Sequence, residues 1–196
     1  MVIFATAVFF LIITPGPGVL SIAGVGAAFG PRAGTRYLIG LFIGTNLVTL
    51  AVVSGLTAAI LADAQLRALL FVASIAYLAY LASRIAFAGS KLAFIERAAA
   101  PGILGGITLQ VINPKAYAVN TALFSGFGFI PQNYTLEILL KVLIMNAIWI
   151  PIHFGWLWLG IAVRRMNLSA RRQRVINMAM AGSMLMVVLL AAWAEF

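Results

Sequence analysis

The chain has 196 residues, of which 64% are hydrophobic and 9% charged. Water-soluble domains carry about 25% charged residues, so this composition excludes a soluble domain of any size and indicates an all-helical, polytopic membrane protein. The formal net charge of +9 does not point to nucleic acid, because the basic residues sit at the ends of apolar runs rather than on one polar face. With no cysteine, disulfides, thiol redox chemistry and thiolate metal sites are excluded.

Six apolar stretches follow one another near Val2–Gly30, Tyr37–Ala62, Leu66–Ala88, Gly102–Phe127, Ile138–Val163 and Val175–Trp193. Each reaches the roughly 20 helical residues that a hydrocarbon core of about 30 Å requires. Met1-Val2-Ile3-Phe4 lacks the positively charged start of a cleaved signal peptide, so residues 1–30 are expected in the mature protein. Arg32, Arg36, Arg84, Lys91, Arg97, Arg164, Arg165, Arg171, Arg172 and Arg174 fall on one side of the predicted membrane, and Arg67 and Lys141 on the other. The positive-inside rule makes the first side cytoplasmic. Two topologies fit: six crossings with both termini outside, or five with a first stretch that dips in and returns. Tyr134, Trp193 and Phe196 suit the headgroup belt, whereas Trp149, Trp156 and Trp158 are expected to pack inside the bundle.

The first stretch is interrupted by Thr14-Pro15-Gly16-Pro17-Gly18 and the fourth by Asn113-Pro114-Lys115. Pro15 and Pro114 lie half a chain apart. Each half, about 1–98 and about 99–196, would open with a broken span followed by two less interrupted ones. An odd number of spans per half inverts the second relative to the first. This is a single transporter domain built of two inverted three-helix repeats. The prolines remove amides and disfavour helix in the residue before them, and Gly16 and Gly18 permit close approach. Backbone freed from helical bonding at membrane depth belongs in a cavity. Amides at the start of the second half-helix favour an anion such as a carboxylate. The alternative is a pair of kinks that only shape packing.

Lys115 carries the chemistry of the second break. It would lie about 19 Å of helix from either end of its stretch, beyond the reach of a snorkelling stem. A charge at that depth costs about 2.5–3.5 kcal/mol unless water or a partner receives it; the alternative is a shallow re-entrant segment with Lys115 at the interface. Asn113 adds a donor and an acceptor, and Gln110, Asn120 and Thr121 extend a polar strip. His153, just after Pro151, is placed either to relay protons or to hydrogen-bond within the bundle. Asn46, with Thr45 and Thr49, either lines the path or joins helices. Gly26-x-x-x-Gly30 and Gly40-x-x-x-Gly44 signal close packing, within the bundle or across a homodimer. Tyr77 and Tyr80, on the third stretch, either face the cavity or pack, with packing the expected case. The Arg164–Arg174 run sets topology and meets anionic lipid headgroups. No nucleotide loop, metal cluster, catalytic triad or nucleophile–base pair is recognisable, so neither an enzyme nor a cofactor is expected.

These residues resemble the LysE/RhtB family of bacterial amino-acid exporters. The likeness begins at Thr14-Pro15-Gly16-Pro17 and runs through Gly30-Pro31-Arg32-Ala33-Gly34, Gly40-x-x-x-Gly44, Gly55-Leu56 and Tyr77-Leu78-Ala79-Tyr80-Leu81. It ends at Gln110-Val111-Ile112-Asn113-Pro114-Lys115-Ala116. The resemblance implies export of amino acids or their derivatives across the inner membrane, driven by the proton motive force. It carries over Pro15, Gly16, Pro17, Asn113, Pro114 and Lys115 as substrate-site residues, beside which Gly18 and Asn46 stand as candidates. Many relatives carry an ionisable group in the second span, where this chain has Thr45-Asn46-Leu47-Val48. Asp63, Glu96, Glu137 and Glu195 lie near ends or in a loop, so His153 or Lys115 would have to carry the proton. A passive channel is one rival. Export of a metal cation is another, disfavoured by the scarcity of carboxylates and thiols.

Overall fold

The computed structural model describes residues 1–55, 62–87, 100–166 and 168–195. Leu56, Lys91, Glu96, Arg97 and Phe196 lie outside the described residues, as do the side chains of Arg67 and Trp193. Among the described residues there are eight helices and no strand: α1 (Val2–Ile13), α2 (Pro17–Phe29), α3 (Pro31–Val53), α4 (Ala64–Ala86), α5 (Ile103–Ile112), α6 (Pro114–Gly126), α7 (Tyr134–Arg165) and α8 (Ala170–Glu195).

Local chemistry sets the boundaries. α1 stops where Thr14 precedes Pro15, and Gly16 is extended before Pro17 opens α2. The two helices meet at a bend of 51°. Gly30, at φ 84°, ends α2 and turns the chain directly into α3. Asn113 ends α5 and caps α6, its side chain accepting a hydrogen bond from the Lys115 amide at 3.1 Å. Asp63 caps α4 and Asn133 caps α7. α7 begins ahead of its apolar run, at Tyr134, and continues through Pro151 for 32 residues. That is about 48 Å of helix, longer than a hydrocarbon core. α3, α4 and α7 are each long and apolar enough to cross a membrane. α1 and α2 qualify only when taken together.

α1 and α2 pack along α7, and α5 and α6 along α3. The Lys141 ammonium lies 5.8 Å from the Phe4 ring, and Phe4 and Val8 share a buried cluster with Met145. Farther along, Gly18 faces His153, Ala23 faces Gly160, Gly26 faces Leu157 and Ile161, and the Arg164 guanidinium donates to the Ala28 carbonyl at 2.6 Å. Residue numbers rise together on both sides, so α1–α2 runs beside α7 in the same direction over its whole length. The α5–α6 pair follows α3 in the same way. Gly40 faces Ile103, Gly44 faces Ile107, Gln110 bonds Thr45 at 2.8 Å, and Thr49 bonds Asn120 at 2.6 Å. α4 and α8 pack against each other through Ala82, Ala86 and Ala181.

Glycine permits this proximity. A Cβ on Gly160 would lie 2.1 Å from the Ala23 carbonyl oxygen, and one on Gly106 would lie 2.4 Å from that of Tyr37. Both glycine pairs singled out in the sequence, Gly26/Gly30 and Gly40/Gly44, are used inside the bundle. Trp149 is buried, but Trp158 is 67% exposed on the outer surface, contrary to the expected internal packing. Its place on α7 faces away from both broken helices. Lys141, counted with Arg67 on the other side of the membrane, is buried at 2% exposure.

The tight α2–α7 contact generates a prediction. Gly160→Ala must push two backbones apart and should cost about 1–3 kcal/mol, read as a lower unfolding temperature in detergent. Gly155→Ala, where nothing lies within 4 Å of the added carbon, should leave the transition in place.

Candidate functional site

The two breaks meet. The Lys115 ammonium donates to the Thr14 carbonyl at 2.7 Å, and a Cβ on Gly16 would touch the lysine stem at 2.8 Å. Lys115 therefore crosses from the start of α6 to the end of α1, where the last carbonyls have no helical partner. An ammonium has three donors. Thr14 uses one, and among the described residues no second acceptor is within bonding distance. The N-terminus of α2 beside it is uncapped: no side chain accepts from its first amides. The corresponding end of α6 is closed by Asn113. The free amides of Gly18 and Val19 and two free N–H groups of Lys115 thus border the same space.

That space is a cavity of about 60 Å³, measured as room for the centres of water-sized spheres. Each buried water needs about 10–15 Å³ by this measure, so the cavity accommodates a handful of waters or a small solute. Gly16, Gly18, Asn113, Lys115 and His153 line it. Pro15, Pro17, Pro114 and Asn46 do not. Pro17 and Pro114 serve as first residues of α2 and α6. Asn46 faces Asn146 across α3 and α7, each amide donating to the other's oxygen at 3.2 and 2.9 Å. Its neighbour Thr45 lines the cavity.

The polar wall is self-consistent. Asn113 donates to Gln110 at 3.0 Å, Gln110 donates to Thr45, and Thr49 donates to Asn120. Thr121 is exposed and takes no part. His153 is buried, and its Nδ1–H donates to the Trp149 carbonyl at 3.0 Å. A carbonyl only accepts, so a proton sits on Nδ1, and in the neutral ring Nε2 keeps its lone pair. Nε2 points toward Gly18, where an added Cβ would come within 3.7 Å. The imidazole stacks on Trp149 at 3.6 Å, with the planes 13° apart.

Several features were not anticipated from sequence. Glu137 and Lys141 form a buried ion pair at 2.9 Å, and Glu137 also accepts from the Phe129 and Ile130 amides. Lys141 donates to the Phe124 carbonyl at 3.3 Å and lies over the Phe4 and Phe129 rings. The pair fastens the α6–α7 connection to α1 at one end of the bundle. Its i, i+4 spacing was a readable signal. Arg164 does more than set topology, since it satisfies the C-terminus of α2. Trp149 was noted only as a buried ring, and it forms the cavity wall behind His153.

A family model described as LysE type translocator matches residues 9–193. The chain belongs to that family. No curated protein and no solved structure compared with the chain matches it. Membership makes this LysE type translocator a multi-pass membrane transporter of a small molecule. The matched residues include both breaks and all of the cavity.

The ion pair gives a second prediction. Lys141→Met alone strands the Glu137 carboxylate, whereas Glu137→Gln with Lys141→Met removes both charges. The single variant should unfold at a lower temperature than the double, measured in the same detergent.

Proposed function

We propose that this translocator exports amino acids or their derivatives across the bacterial inner membrane as a secondary transporter driven by the proton motive force. One observation carries the reading: an uncapped helix N-terminus and a lysine with spare donors converge on one cavity. Both favour an anionic group, and a carboxylate accepts from several donors at once. The carboxylate would take the amides of Gly18 and Val19 and the Lys115 ammonium, which would then exchange the Thr14 carbonyl for substrate. Pro15, Gly16, Pro17, Asn113 and Pro114 hold the two breaks open. Asn46 is read as a joint between halves, through its bond to Asn146.

Two inverted three-helix repeats, about 1–98 and about 99–196, account for the helix pairing. α1–α2 against α7 and α5–α6 against α3 are the same contact viewed from each half. α4 with α8 and Asn46 with Asn146 are each a pair of equivalent positions. A first segment that runs beside α7 from Phe4 to Ala28 favours a complete crossing over a dip and return. In such a plan the halves rock about a central site and expose it to each side in turn. His153, with Nε2 free at the cavity, is the proton carrier in this reading. Protonation there would place a second cation beside Lys115 and weaken its hold on its partner.

Two outcomes test the reading. Lys115→Ala should reach the membrane but bind substrate about 10- to 150-fold more weakly, the value of a charged hydrogen bond, and show no net export of amino acids from loaded vesicles. Normal export by that variant removes the lysine from the mechanism. His153→Gln should retain substrate exchange in proteoliposomes but lose its acceleration by an imposed proton gradient. A passive channel would instead show flux in the native protein that an uncoupler leaves unchanged.

A further inference from the structure

We infer that the cavity selects amino acids with small, uncharged side chains and turns away lysine and arginine, with Trp149 setting its depth. This rests on the export reading and narrows it.

Charge is the first argument. The cavity carries the Lys115 ammonium and the positive end of α2, and no carboxylate lines it among the described residues. Glu137, the described buried carboxylate, is engaged with Lys141 and two backbone amides. A zwitterion fits this field. Its carboxylate meets the amides and Lys115, and its ammonium can turn to the Thr14 carbonyl or the free Nε2 of His153. A second positive charge on the side chain finds no counterpart and is repelled by Lys115. Specificity of this kind comes from the unfavourable contact as much as from the favourable one.

Size and polarity are the second argument. Beyond the breaks the walls are Leu11, Val19, Val119, Met145 and Trp149. A space with room for a handful of waters suits a short side chain better than a long one. Trp149 is held between two rings. His153 stacks on one face at 3.6 Å, and the Phe42 ring meets it edge-on at 5.6 Å. The indole is 4% exposed and belongs to the main buried cluster. An added methylene in such a pocket changes discrimination by about 10- to 200-fold.

The test uses the full chain in proteoliposomes, with alanine, leucine, phenylalanine and lysine as competing substrates. Alanine should be preferred over lysine by at least about tenfold. Gln110→Glu keeps the shape, and the Thr45 hydroxyl can turn to donate to the new carboxylate. It should narrow the alanine-to-lysine gap. Asn120→Asp, on the same wall, serves if the first variant does not fold. Trp149→Ala, or Met145→Ala as the milder change, should shift preference from alanine toward leucine or phenylalanine. The inference is overturned if the native chain moves lysine as readily as alanine, or if a folded acidic variant leaves the gap unchanged. Trp149→Ala and Met145→Ala with unaltered size preference would overturn the depth assignment. If the native chain moves no amino acid of any class, the export reading falls and this inference with it. Lysine transport at full rate sinks the selectivity alone.

Discussion

The bond from the Lys115 ammonium to the Thr14 carbonyl joins the two places where this bundle gives up helical hydrogen bonding. Neither break is stable in lipid by itself. The end of α1 leaves carbonyls without partners, and a lysine at membrane depth needs somewhere to place its charge. Each resolves the other's deficit, and the arrangement is incomplete in a useful way. Two donors of the ammonium and the first amides of α2 remain open to the cavity. Under the export reading, the site can exist without substrate and still gain when an anionic group arrives.

Helix pairing gives this cavity its frame. α1 and α2 lie along α7, and α5 and α6 along α3, with backbone-to-backbone contacts at Ala23–Gly160 and Tyr37–Gly106. The chain bends by 51° between α1 and α2, and Asn113 separates α5 from α6. The Glu137–Lys141 pair fixes one end of that assembly and Arg164 the other.

Much of this was readable in the chain. Prolines and glycines mark the ends of α1 and α5 because their backbone restrictions are local and need no tertiary partner. Lys115 stands out because a cation in the middle of an apolar stretch needs water or a partner. Helix rotation was not legible. Asn46 was open to lining the path or joining helices, and it turns toward Asn146, while the adjacent Thr45 takes the wall. Trp158 and Trp149 were grouped together, although one faces outward and the other forms the pocket. Hydropathy is nearly uniform around these helices, so it carries no phase. The glycine spacing carried some, since Gly40 and Gly44 had to face a neighbour closely.

The central claim, that the two breaks enclose one substrate cavity, is most directly tested by chemical labelling. The chain has no cysteine, so Gly18→Cys introduces a single thiol where an added Cβ keeps ordinary contacts with Gln110 and His153. A water-soluble thiol reagent should modify it and block transport, and excess substrate should slow the modification. Modification that is indifferent to substrate, or that leaves transport intact, would contradict the account.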